Sequence, residues 1–219
     1  MSFLRDNGLT ITLFGLTSAA IAGMAFTGVH VYNHDATLHD GTALNFVSYL
    51  ASGHFLSALF ENWESEFLQM SVYVCLTAFL YQRGSAESRD PDRASKCDED
   101  PACRQSDPAA PWPVRRGGVL RTLYSYSLGM ALCALFVLSF VLHLRASAAA
   151  ATLDASAHGQ AAPDVWTHLF SSEFWFECLQ NWQSEFLSTL VLVVLSIFLR
   201  FRGSPESKAV TARTWQTGK

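Results

Sequence analysis

The chain repeats itself at an offset of 119 residues. Asn62-Trp63-Glu64-Ser65-Glu66-Phe67-Leu68 returns as Asn181-Trp182-Gln183-Ser184-Glu185-Phe186-Leu187, and Arg83-Gly84-Ser85-Ala86-Glu87-Ser88 returns as Arg202-Gly203-Ser204-Pro205-Glu206-Ser207, without a gap. Repetition on this scale restricts architecture before any local propensity does, because each copy must fold as one unit and the units must stack. Each pair of motifs brackets an apolar run. The repeated unit therefore reads as a helix with a carboxylate-bearing start and a basic end.

Whether those helices meet water or lipid is decided by the distribution of apolar residues, since the totals (50% apolar, 16% charged) fit either. Residues 9–29 and 123–142 contain no charged side chain. Each run matches the roughly 20 residues that a helix needs to cross about 30 Å of hydrocarbon. The uncharged runs after Glu66 and Glu185 are shorter. Counting back about 20 residues from the basic ends puts Trp63 and Trp182 at the membrane interface, where amphipathic rings are favoured.

The sequence thus predicts an all-α membrane protein with four transmembrane helices as two parallel two-helix repeats and amphipathic interfacial helices on the outer side. The first repeat covers residues 1–88, with spans over 9–29 and 63–82 and an interfacial helix over 44–61. A solvated linker follows over 89–118. The second repeat covers 119–207, with spans over 121–144 and 182–201 and an interfacial helix over 165–180, and residues 208–219 form a tail. Of the 15 Lys and Arg, all but Arg145 fall in the N-terminal tail, between 83 and 121, or from 200 onward. The excess of Lys and Arg in cytoplasmic loops then orients both termini and the linker inward. The N-terminal apolar run is too long for a signal-peptide core and is expected to be a retained span. Gly15, Ala19 and Gly23, spaced four apart, form a small-residue stripe on which another helix could pack closely.

The linker is too rich in charge and Pro to build a core of its own. Its Cys97 and Cys103 have neither redox nor zinc spacing and read as free thiols. The seven histidines, His30, His34, His39, His54, His143, His158 and His168, cluster toward the outer side without regular spacing and read as loop or boundary residues. No phosphate loop or nucleophile elbow is present, and no basic aromatic patch points to nucleic acid. The chain is accordingly expected not to be an enzyme, with no catalytic residues and no cofactor.

The site candidates lie at the repeated polar starts. Asn62 and Asn181 are suited to N-capping, with Trp63, Ser65, Trp182 and Ser184 forming the helix entrance and interface. A carboxylate near a helix start is favoured by the helix dipole. Capping alone does not require the whole Asn-Trp-x-Ser-Glu-Phe-Leu pattern twice. Across a pseudo-two-fold axis, Glu66 and Glu185 would occupy matched positions and hold a proton or a small cation, since ionisable groups within spans mark ion paths or internal pairs. Glu64, His54 and Glu173 are further ion-path candidates, the last two being another matched pair. The Glu-x-x-His pattern of dinuclear carboxylate centres is missing, so metal binding stays unassigned.

The segments Gly53-His54-Phe55-Leu56, Glu61 to Gln69 and Gln82 to Ser88 resemble a bacterial family of small multi-pass membrane proteins defined by a domain of unknown function, over nearly the whole chain. The resemblance implies the bacterial cytoplasmic membrane and transfers no activity. Two functions are therefore weighed: a proton or small-cation path through the repeat carboxylates, and a structural or accessory subunit of a membrane complex. The expected partners are the lipid bilayer, a second copy of the chain or another membrane protein, and no nucleic acid.

Overall fold

In a computed structural model, residues 3–38, 41–93 and 95–218 are described, and no β-strand occurs among them. His39 lies outside the described residues. Two long helices, α1 (Phe3–Leu38) and α3 (Gly53–Phe79), flank a single-turn α2 (Phe46–Leu50) in the first half. After two 3-10 turns (Lys96–Asp98 and Pro101–Arg104) come α4 (Trp112–Arg116), α5 (Gly118–Ser125), α6 (Ser127–Ala157), α7 (Val165–Leu169) and α8 (Ser172–Phe198). Helices α1, α6 and α8 are long and apolar enough to cross a membrane. Their large side chains are correspondingly exposed, Leu9 and Phe14 on α1 by about three quarters of their area.

The local hydrogen bonds recur at the repeat offset. Asn45 caps α2 through its side chain on the Ser48 N–H, and Asp164 caps α7 on the Trp166 and Thr167 N–H groups. The hydroxyls of Ser52 and Ser171 accept from the Phe55 and Phe174 N–H groups at 3.3 and 3.2 Å, opening α3 and α8. Beyond each helix, Gly84 and Gly203 turn the chain at φ +83° and +86°, a region that glycine enters without a Cβ penalty. Ser88 and Ser207 then accept from the Gln82 and Phe201 N–H groups at 2.8 and 2.9 Å.

These bonds correct the expected boundaries. The helix break falls at Ala51-Ser52 and before Ser172, so the residues expected as separate interfacial helices (44–61 and 165–180) and short spans (63–82 and 182–201) are drawn into single helices α3 and α8. Asn62 is therefore not an N-cap: it lies inside α3 and donates from Nδ2 to the Ala58 carbonyl at 2.8 Å. Asn181 likewise lies inside α8. The reason is local. Nothing between Ser52 and Asn62 breaks the hydrogen-bond ladder, and the Ser52 hydroxyl, ten residues earlier, already serves as the cap.

The chain divides into two compact units. The first comprises Met1–Trp63 and Ser139–Glu177. Its apolar core joins Ala25, Val29, Tyr49 and Phe55, with Met24 and Tyr32 packed against them. The Asn33 amide pins the segment before α2 by bonding both the N–H and the carbonyl of Leu44, at 2.7 and 2.8 Å. Gly53 sits directly on α6, where a Cβ would lie 2.7 Å from the Ala150 nitrogen and 2.8 Å from the Ala146 carbonyl oxygen. The Ala- and Ser-rich part of α6 is thus a close-packing seat, with Ala146, Ser147 and Ala148 buried. The stripe of Gly15 and Gly23 on α1 meets nothing within 4 Å among the described residues.

The second unit comprises Glu64–Leu138 and Cys178–Lys219. Here the turn after α3 is locked to the C-terminal tail. Ser85 is fully buried against Ser196, the hydroxyls 2.8 Å apart. Lys208, only 2% exposed, donates to the carbonyls of Gly84, Thr214 (3.0 Å) and Gln216 (2.9 Å). Burial, and the neighbouring Arg200 charge, hold the Lys208 ammonium below the usual lysine range. The linker is organised by surface ion pairs, including Arg83 with Asp92 at 2.6 Å and Arg104 with Glu99 at 2.8 Å, and the Cys97 and Cys103 thiols are free.

Candidate functional site

Within the second unit, the facing sides of α3 and α8 carry a ladder of polar contacts. Glu64 is fully buried, and its Oε1 accepts from the Trp182 indole N–H at 3.1 Å. One step along, Glu66 and Glu185 are close enough for each carboxyl to act electrostatically on the other. Two carboxylates so placed repel each other, and a proton or cation bound to the pair relieves that repulsion. The next contact is from the Gln69 amide to the Thr189 hydroxyl. Tyr73 follows, donating to Glu87 Oε2 at 3.2 Å.

On α3 this order is Glu66, Gln69, Tyr73, spacings of three and four that place all three on one helical face. Below the carboxyl pair, an open groove of about 400 Å³ runs between the helices, lined by Gln69, Tyr73, Leu76, Glu87, Phe186 and Thr189 among others. The groove thus presents hydrogen-bonding groups within otherwise apolar walls.

The other sequence candidates have different surroundings. His54 faces Asp154 at 3.6 Å and packs at a tilt against Tyr32, 5.1 Å between ring centres. Glu173 is exposed in the first turn of α8. Trp63 packs edge-on against Phe60, Ser65 is buried and Ser184 is exposed.

The first unit contains a cluster that residue-by-residue reading of the sequence passes over. His143, fully buried, presents Nε2 to Glu177 Oε2 at 3.3 Å. Ser147 donates to the same carboxyl oxygen at 2.8 Å and lies 2.8 Å from Nε2 of the buried His168. Phe174, also fully buried, packs against both imidazoles, at 5.0 and 5.7 Å between ring centres. The signal was available in the repeat. At the 119-residue offset His143, Ser147, His168 and Glu177 correspond to Met24, Gly28, Tyr49 and Ala58, so a histidine, a serine, a second histidine and a glutamate replace residues without acidic or imidazole groups.

A family model described as a domain of unknown function (DUF6766) matches residues 1–219. The chain belongs to that family. No curated protein and no solved structure matches it. Membership of DUF6766 fits the resemblance drawn from the motifs and assigns no activity, so function has to be argued from the two clusters themselves.

Proposed function

We propose that the protein is a four-span membrane protein, built from two parallel repeats with both termini in the cytoplasm, that carries protons or a small cation along the α3–α8 face. The bacterial cytoplasmic membrane is its expected location. Helix α3 serves as the fourth span: at 27 residues it equals α8 in length, and at 1.5 Å per residue either helix extends about 40 Å. Like α8 it carries three glutamates, here Glu61, Glu64 and Glu66, none beyond its midpoint.

The observation that carries this reading is the meeting of Glu66 and Glu185. They occupy equivalent positions in the two copies, and each carboxyl acts electrostatically on the other. Two like charges at this separation inside lipid would be costly, and a shared proton or a bound cation removes the repulsion. Gln69, Thr189, Tyr73 and Glu87 continue the line of exchangeable groups, so an ion leaving the pair meets polar partners rather than a purely apolar wall.

The test is proton and alkali-cation flux into liposomes containing the purified protein, compared with a Glu66→Gln, Glu185→Gln double variant shown to insert and fold. Flux in the wild type, reduced at least tenfold in the variant, is the expected outcome. Equal flux in both would remove the carboxyl pair from the path. No flux in either would favour the structural or accessory role and direct attention to membrane-protein partners.

A further inference from the structure

The two copies of the repeat build the same local scaffold but fill it differently in the first unit. In the first copy, Gly28 leaves room for the Tyr49 hydroxyl: a Cβ at residue 28 would lie 2.3 Å from that oxygen. Tyr49 packs on Phe55 at 5.6 Å, and Met24 closes the same apolar cluster. In the second copy, Ser147 replaces the glycine and bonds His168 in place of the tyrosine, while Phe174 replaces Phe55 beneath both rings. The fold itself therefore does not demand the polar group. An apolar filling already serves the equivalent scaffold, and burying imidazoles and a carboxylate is costly unless they are paired.

We propose that His143, Ser147, His168 and Glu177 form a buried proton-binding relay peculiar to the second repeat. The hydrogen bonds fix its polarity. Ser147 has one proton and donates it to Glu177, so its oxygen must accept from His168, whose Nε2 therefore carries hydrogen. His143 Nε2 lies 3.3 Å from the same carboxylate oxygen and faces it as a counter-charge when protonated. A proton arriving at Nδ1 of His168 releases the Nε2 proton to Ser147, and Ser147 passes its own proton to Glu177. His168 ends as the other neutral tautomer, Ser147 remains a hydroxyl and Glu177 becomes a carboxylic acid. One proton has entered, and no other group changes composition.

The other charged side chains that α6, α7 with its cap, and α8 bring to the first unit are engaged elsewhere or exposed. Asp154 on α6 faces His54 of α3, Asp164 caps α7, and Arg145 of α6 and Glu173 of α8 are exposed. Glu177 is thus the acceptor toward which this hydrogen-bond chain converges. The inference does not depend on Glu66 or Glu185, and its test uses no transport.

Full-length protein in nanodiscs would be titrated while following the infrared band of protonated carboxyl groups and the ring-nitrogen NMR signals of histidine. The expected result is a carboxyl band that grows on acidification together with a change of the His168 tautomer. Glu177→Gln should abolish that band, and Ser147→Ala should abolish the linked tautomer change while the band persists. Assignment of the ring signals comes from His168→Tyr, the residue that the first copy uses. A fourfold exchange to first-copy residues (His143→Met, Ser147→Gly, His168→Tyr, Glu177→Ala) should fold with native helicity and show neither signal. The proposal is overturned if the band survives Glu177→Gln unchanged, if His168 keeps one tautomer throughout the titration, or if the fourfold exchange alone unfolds the protein, which would make the cluster a structural requirement.

Discussion

Replacing Gly53 by Ala measures how tightly α3 is seated on α6. The added methyl would stand 2.7 Å from the Ala150 nitrogen and 2.8 Å from the Ala146 carbonyl oxygen, about 0.6–0.7 Å short of ordinary contact. Both neighbours are backbone atoms of a regular helix, so no side chain can rotate away and the two helices must part. Forcing a methyl into a packed contact typically costs about 1–3 kcal/mol. Alanine recovers at most ~1 kcal/mol over glycine inside a helix, and less at the first residue, where Gly53 lies. A net loss of about 1–2 kcal/mol follows, up to roughly thirtyfold in the folding equilibrium. The assay is reversible unfolding in mixed micelles, with Gly23→Ala as the control because a Cβ there meets nothing within 4 Å. Gly23→Ala should be neutral or slightly stabilising. If Gly53→Ala proved as stable as Gly23→Ala, the close approach of α3 and α6 would be refuted.

Three further outcomes are expected, two of them with one repeat as the control for the other. Ser85→Ala removes a fully buried hydroxyl that meets Ser196 at 2.8 Å and accepts from the Glu87 N–H at 3.1 Å; it should cost about 1–3 kcal/mol in the same assay, and Ser204→Ala, with no matching serine contact, about half as much. Lys208→Met leaves the carbonyls of Gly84, Thr214 and Gln216 without their donor; the tail should loosen, and tryptic cleavage after Arg213 should quicken about tenfold, the mark of a local opening ~1.4 kcal/mol easier. Backbone and hydroxyl hydrogen bonds from Thr167, then the Trp166 N–H, hold the Asp164 carboxyl below its ordinary 3.8. A folded value below the unfolded one means that the cap contributes fully above about pH 4 and is lost as the pH falls through the folded value. Protection of the α7 amides from hydrogen exchange should therefore fade on acidification below that point, while that of α2, capped by the non-titrating Asn45, should not.

That the chain is helical, with apolar stretches long enough to cross a membrane, was legible in the sequence because runs without charge have a single solution in lipid, a helix that satisfies its own backbone. Helix ends were not. Asn62 sits before an apolar run and has the side chain of a cap, yet the ladder continues through it because Ser52 already closes the helix start. An asparagine inside a helix and one at its end look alike when the deciding residue is ten positions upstream. Packing partners were equally hidden: the small residues that matter for close approach are Gly53 and Ala146, whose contact joins segments far apart in the chain, whereas a Cβ at Gly15 or Gly23, in the more regular stripe, would meet nothing within 4 Å among the described residues. The polar cluster around His143 was obscured for another reason. Each histidine alone looks like a boundary residue, and only the column-by-column comparison with Met24, Gly28, Tyr49 and Ala58 exposes a coordinated change.

That comparison separates scaffold from chemistry. Residues that match between the copies mostly perform the same backbone task in each: Ser52 and Ser171 open helices, Gly84 and Gly203 turn the chain, and Ser88 and Ser207 close the turn. Their identity in both copies is explained by folding alone. Glu66 and Glu185 match without sharing in that work, since neither carboxyl caps a helix or closes one of these turns. Their proximity to each other is what remains to account for them. The residues around His143 pose the converse case, a polar group in one copy where the other is apolar. A matched pair without a scaffold role and a mismatched cluster without a scaffold need are the two places where folding does not dictate the side chain, and both are the places at which the proposed proton chemistry is to be tested.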